Sequence, residues 1–353
     1  MVRLLIINPG SASTKIAIFE DDKVVLEKTI RHPVEEVLTF KNSYAQREYR
    51  EDFITNFLKE SNYKLTDFDA FVGRGGLLKP LTSGTYEVDE NMYNDLKNLT
   101  YGDHPSNLGA ILALDLAKKV NKKAYTVDPV VVDELSDLAR ISGYKGIERT
   151  SAFHALNHKA IAKRFALEHQ KKYEDLNLIV VHLGGGISIG LHQKGLVVDV
   201  NNAAGGDGTF SPERVGALPT FQLIDETMKN IDDISAFKKR LITKSGLYSY
   251  LNTSSLIEIK ERVLNGDQEA DFYLKALTYT INKNIGNMYF AANGEIDAVL
   301  YTGGIANNTI FMERLTVLLP KEIKYYIYPG EDELSALAKG TLIALKTNNI
   351  KKY

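Results

Sequence analysis

The sequence predicts a duplicated α/β fold, two similar lobes that each open on strands in threes and continue into helices. Two observations carry this. An apolar strand, a small-residue turn and a second apolar strand occur twice, at Leu4–Phe19 and at Leu178–Leu191. Laid together without a gap, Asn8 falls on His182 and Gly10 on Gly184, an offset of 174 positions in 353 residues. The length itself exceeds one ordinary core and suits two domains.

In chain order, residues 3–7, 14–19 and 23–30 read as three short strands with turns at Asn8–Ser13 and Glu20–Lys23. A polar, helical stretch follows at Val34–Lys59, then the apolar Ala70-Phe71-Val72 ending in Gly73-Arg74-Gly75-Gly76. Leu108, Ile111, Leu112, Leu114 and Leu116 predict a helix with Ser106 as its N-cap. Tyr125–Val127 reads as a strand ending at Asp128-Pro129, and Phe153–Leu167 as a helix with Phe153, Leu156, Ile161 and Phe165 inward. Leu196–Val200 is a strand, Asn201–Gly208 a loop, and helices fill most of 220–292. Ala298–Tyr301 is a buried strand ending in Thr302-Gly303-Gly304. Asp332–Leu345 is a terminal helix with acidic residues in its first turn. The predicted lobes are 1–150 with 331–353, and 151–330.

Composition narrows the function. Lys plus Arg (43) nearly balances Asp plus Glu (45), so no basic excess exists to bind a nucleic acid backbone. No apolar run is long enough to span a bilayer, and four apolar residues before Asn8-Pro9-Gly10 do not make a signal peptide. With no cysteine, disulfides, thiolate zinc sites and thiol catalysis are excluded, and the cytoplasm is the expected location.

Several motifs carry chemistry. Asn8–Lys15 packs hydrogen-bonding side chains and a cation into one turn, without the spacing of a P-loop. Gly184-Gly185-Gly186 behind a β-branched strand is read as close approach of a ligand to backbone, and Gly303-Gly304 repeats that logic. Neither matches the dinucleotide fingerprint. Arg74 among glycines favours anion binding, whereas for Arg214 an anion site and a salt bridge are equally open. His154 and His158 share a helix face, yet no third soft ligand supports zinc, and a satisfied buried histidine is the commoner fate. Asp128 is either a turn former or one of the strand-end carboxylates that serve Mg²⁺-nucleotide sites.

The chain resembles the acetate and butyrate kinases, the acetokinase family of the sugar kinase, heat-shock chaperone and actin superfamily, and is most similar to its butyrate kinase branch. Seven pieces in order carry this: Asn8–Lys15, Val72–Pro80, His104–Gly109, Asp128–Glu134, His182–Gly190, Asn201–Pro219 and Thr302–Asn308. The resemblance implies two actin-like ATPase (ribonuclease H-like) lobes of βββαβαβα type with a cleft between them. It implies ATP/ADP and Mg²⁺, and reversible in-line phosphoryl transfer to a short fatty-acid carboxylate, butyrate first. Branched-chain, propionate or acetate specificity is the alternative, and a non-enzymatic nucleotide switch is the rival of another class. Small molecules are the implied partners, with neither nucleic acid nor membrane, in a homo-oligomer. Arg74, Asp128, His154 and Arg214 match the family's catalytic positions. Asn8, Ser11, Ser13 and Lys15 fall on the substrate and phosphate side. His182, Gly184, Gly185, Gly186, Gly303, Gly304, Ile305 and Asn307 fall on the nucleotide side, and Asn8, Asp128 and Glu331 or Glu333 serve the metal. The family's Gly-Gly-Ile-Gly-Glu-Asn loop is here Gly303-Gly304-Ile305-Ala306-Asn307-Asn308, and that departure favours butyrate or a branched acid.

Overall fold

A computed structural model describes all residues, 1–353. The chain divides into two compact units, Met1–Val132 with Asp332–Tyr353, and Asp133–Glu331.

In the first unit β1 (Arg3–Pro9), β2 (Ser13–Glu20) and β3 (Lys23–Arg31) form an antiparallel meander, and β4 (Ala70–Gly73) pairs parallel with β1. β5 (Thr85–Glu87) and β6 (Lys123–Val127) follow, giving the order Ile350–Lys351, β5, β6, β4, β1, β2, β3. Strands covered on both faces read as unbroken apolar runs, and Leu4–Ile7 is fully buried. The edge strand β3 is mostly exposed and carries Lys23, Glu27, Lys28 and Arg31, charges that discourage edge pairing. The helix Asn107–Lys118 is buried along almost its whole length against β4, β6 and β1. The terminal helix Glu333–Thr347 packs on β1 and β6, which is why the C-terminus belongs to this unit.

The second unit carries an exposed hairpin, β7 (Ile141–Tyr144) with β8 (Ile147–Glu148), and a sheet of β9 (Leu178–Leu183), β10 (Ile187–Gln193), β11 (Leu196–Val200), β12 (Ala298–Gly303) and β13 (Tyr325–Pro329). The sheet order is β11, β10, β9, β12, β13. Three strands are antiparallel and two parallel, in the same sense as β3, β2, β1, β4, β6. The duplication therefore holds in topology, and Gly10–Ala12 and Gly184–Gly186 are equivalent three-residue turns.

Three local expectations change. Val34–Lys59 is not one helix: a single turn at Val34–Val37 is separated from Arg47–Glu60. Ser106 occupies the N-cap of its helix without capping it, because its hydroxyl pairs with His104 Nδ1 at 2.7 Å. Residues 133–150, placed with the first lobe on sequence, bond within the second unit: Ser136 N donates to Val198 O, and Arg149 pairs with Asp199 and Asp207.

Candidate active site

β1 and β4 run parallel with Ile7 opposite Gly73, so Asn8 and Arg74, each one residue further, emerge at neighbouring strand ends. Glu333, the first residue of the terminal helix, meets them there. Its buried Oε2 accepts from Asn8 Nδ2 at 2.6 Å and from Arg74 Nη1 at 2.9 Å, and Arg74 Nη1 also reaches Asn8 Oδ1 at 3.5 Å. A buried carboxylate requires such partners, and a helix N-terminus adds a favourable dipole. Arg74 spends only Nη1 on this cluster, leaving its remaining N–H groups for a planar anion.

The glycines around Arg74 serve packing. A Cβ at Gly73 would lie 2.0 Å from Gly109 O, and one at Gly109 would lie 2.3 Å from Arg74 O. A Cβ at Gly75 or Gly76 would strike Pro129 or Asn107. The helix start and the Arg74 strand end can approach only because both sides lack side chains.

Asp128 is tied to the loop at Gly84. It is buried with φ +40°, its Oδ1 accepts from Gly84 N at 2.6 Å, and its own N–H donates to Gly84 O at 3.0 Å. Beneath the Gly10–Ala12 turn lies a group that sequence reasoning missed. Arg50, fully buried, donates to Ser11 O and Ser13 O, each at 2.9 Å, to Thr14 Oγ1 at 3.0 Å and to Gln46 Oε1. Burial pushes its guanidinium down to about 10. One Arg in a polar helix gives no sequence signal of this. Ser11 above it is exposed, with Ser13 and Lys15 half-buried, so the turn presents hydroxyls and positive charge together.

In the second unit His154 stacks on His182, with ring centroids 3.8 Å apart and planes at 10°. His182 Nδ1 donates to Asn157 Oδ1 at 2.9 Å, and its buried Nε2 lies 3.1 Å from Glu331 Oε1, without the alignment of a hydrogen bond. Glu331 thus belongs with His182, and Glu333 with Asn8 and Arg74, so the two acidic candidates have different neighbours.

The glycine turn has close side-chain neighbours. A Cβ at Gly186 would stand 2.8 Å from Arg214 Nη1, and one at Gly185 would stand 3.2 Å from Glu213 Oε2. The turn makes room for these side chains. Ser211 fastens the two segments: its hydroxyl donates to Gly185 O at 2.6 Å and accepts from Arg214 N at 3.0 Å. Arg214 Nη1 donates to Ala203 O at 3.1 Å, and burial lowers the guanidinium below its ordinary value. Gly303, at φ +93°, brings its strand end against Leu183, where a Cβ would lie 2.3 Å from the carbonyl oxygen. Gly304 is exposed with open space around it, as a ligand-facing glycine requires. Half-buried Ile305 follows, and exposed Asn307 closes the loop by donating to Gly304 O at 3.1 Å. A separate cavity of about 600 Å³, lined by Asp207–Phe210, Tyr250 and Lys283 among others, holds none of the predicted residues.

No group of three or more His, Cys, Asp or Glu side chains is placed to hold a metal. The oxygens of Asn8 and Glu333 nevertheless suit Mg²⁺, which is commonly held by one or two carboxylates together with substrate phosphates.

Residues 140–349 match the model of the acetokinase family. The chain is 45% identical to butyrate kinase 2 of Clostridium acetobutylicum over 356 aligned positions, covering 99% of each chain. It is 47% identical to butyrate kinase 1 of the same organism, covering 98% of each. The chain belongs to the acetokinase family. It is accordingly a kinase. Its fold is that of Porphyromonas gingivalis acetate kinase, at a TM-score of 0.77 and 18% identity over 98% of this chain and 100% of that one. A propionate kinase from Francisella tularensis gives 0.72 and 16% over 96% and 99%. These acetokinase-family neighbours have the actin-like ATPase fold. No helix of the chain is long and apolar enough to cross a membrane.

Proposed function

We propose that the protein transfers the γ-phosphoryl group of ATP to the carboxylate of a short-chain fatty acid, butyrate by preference, giving an acyl phosphate and ADP. The observation that carries this reading is 45–47% identity, over nearly whole chains, to two proteins named butyrate kinases. The Asn8–Arg74–Glu333 cluster supports it independently, since it offers a planar cation to a carboxylate.

In the proposed reaction a carboxylate oxygen attacks the γ-phosphorus as the bond from phosphorus to the β–γ bridging oxygen breaks. The acid is already ionised at neutral pH, so no proton has to move. Phosphoryl transfer passes through a loose transition state, and the protein contributes positioning and charge. Arg74 fixes the acid, with Glu333 holding the guanidinium in place. Arg214 and His154 donate to equatorial phosphoryl oxygens. Ser11, Ser13 and Lys15 receive the transferred group over the buried charge of Arg50, and Asp128 orients the end of β6. His182, the glycine turn and Gly303–Asn307 take the nucleotide side. Asn8 and Glu333 would hold Mg²⁺, which when bound would neutralise phosphate charge, while Glu331 stays beside His182. The transfer is reversible, and a cytoplasmic, homo-oligomeric enzyme is the accompanying expectation.

Hydroxamate trapping with ATP, Mg²⁺ and straight and branched C2 to C5 acids tests the reading. Turnover should peak at butyrate or isobutyrate. A maximum at acetate overturns the preference, and ATP binding with no acid phosphorylated overturns the reaction and favours the nucleotide-switch reading.

A further inference from the structure

A chain of five buried or half-buried groups runs inward from His154, and the proposed chemistry uses only its first member. His154 Nδ1 is 2.9 Å from Ser188 Oγ, which is 2.8 Å from His158 Nε2. His158 Nδ1 is 3.3 Å from His192 Nε2, and His192 Nδ1 is 2.7 Å from the Tyr173 hydroxyl. Secondary structure assembles it. His154 and His158 lie one turn apart on a helix, while Ser188, Gly190 and His192 share one face of β10. Gly190 leaves the space that the His158 ring fills, since a Cβ there would stand 3.2 Å from His158 Nδ1.

We propose that Ser188, His158, His192 and Tyr173 are positioning residues that fix the tautomer of His154, with Nδ1 as acceptor and Nε2 as the N–H edge presented to the phosphoryl group. Ser188 has one proton and two imidazole neighbours, so it must donate to one and accept from the other. The chain therefore exists in only two concerted senses. His158 and His192 are completely buried, and burial holds both far below the ordinary histidine range, so each ring is neutral with one N–H. Tyr173 sets the sense. A phenol is a good donor and a poor acceptor, and an imidazole nitrogen is a good acceptor, so the 2.7 Å contact is read as the Tyr173 hydroxyl donating to His192 Nδ1. Donation then runs from Tyr173 to His192 Nδ1, from His192 Nε2 to His158 Nδ1, from His158 Nε2 to Ser188, and from Ser188 to His154 Nδ1.

This assignment rests on the reading of His154 as a phosphoryl donor, but its test does not depend on activity alone. Nitrogen NMR of the full-length protein with labelled histidine, assigned through His154→Gln, reads the tautomer directly. The wild type should show a bare Nδ1 and a protonated Nε2 at His154. Ser188→Ala and the milder Tyr173→Phe, at opposite ends of the chain, should mix the tautomers. Both should lower kcat by about 10- to 100-fold, as loss of a group orienting a functional imidazole does, with KM for both substrates unchanged. A wild-type His154 protonated at Nδ1 overturns the proposal. So does a tautomer unchanged in both variants, even if kcat and thermal stability fall, for then the chain is structural only. If the wild type phosphorylates no acid but the tautomer responds, the functional reading fails and the positioning chain stands.

Discussion

Arg74 and Arg214 are both arginines beside glycines, and their surroundings divide their work. Arg74 is held by one nitrogen against Glu333 and Asn8, with the rest of its fork available. Replacing it with Ala should reduce kcat about 10²- to 10³-fold, the cost of deleting a donor aimed at the reacting group, while calorimetric ATP affinity stays near wild type. Lys should not restore it, because an ammonium lacks the planar fork. Near-normal turnover of Arg74→Ala removes this residue from the site. Arg214 instead packs its guanidinium against Gly186, where a Cβ would stand 2.8 Å from Nη1. Gly186→Ala meets the end of a long side chain rather than backbone, so the protein should keep its melting temperature within a few degrees while kcat falls about 10- to 100-fold through displacement of the guanidinium. A variant that melts early and retains full specific activity contradicts this account.

At the scale of elements, the decisive contact is between the end of β4 and the start of the helix Asn107–Lys118. Gly73 and Gly109 face each other across it, and a Cβ at either one would meet backbone, which cannot yield as a side-chain tip can. Gly109→Ala should therefore cost about 1–3 kcal/mol or more by overpacking, measured by denaturant unfolding, and should also weaken carboxylate use because Arg74 leaves that strand end. A neutral substitution would mean that helix and strand can separate without consequence. Most elements here were legible from apolar periodicity: β1, β2 and β3, the buried run Leu178–Leu183, and the terminal helix all occur close to the expected bounds. The glycines are harder to read. Sequence cannot say whether a missing side chain makes room for a ligand or for a neighbour, and at Gly73 and Gly76 beside Arg74 a Cβ would meet Gly109 or Asn107.

For the molecule as a whole, buried histidines make stability depend on pH. Burial, and then the charge of Arg50, push His32 down to about 4, and burial also holds His158 and His192 well below the ordinary histidine range. In the unfolded chain all three take protons near 6.5. Below that pH the unfolded state binds more protons than the native one, so stability is complete above about pH 6.5 and declines as pH falls toward 4. Urea unfolding between pH 7.5 and 5 should show this decline, and His32→Gln, which can keep a bond to Thr14, should make it shallower. A wild-type slope of zero, or of the opposite sign, refutes the buried neutral state. The sequence alone determined the repeat, the sheet-forming segments, the family and the candidate residues, because these depend on local periodicity and on short motifs whose spacing survives in the chain. Only the tertiary structure decided that Glu333 rather than Glu331 meets Arg74, that Arg50 underlies the Gly10–Ala12 turn, and that Ser188 joins His154 to His158. Those relations join residues far apart in sequence, and a buried charge or imidazole acquires its role from the partner that burial forces upon it.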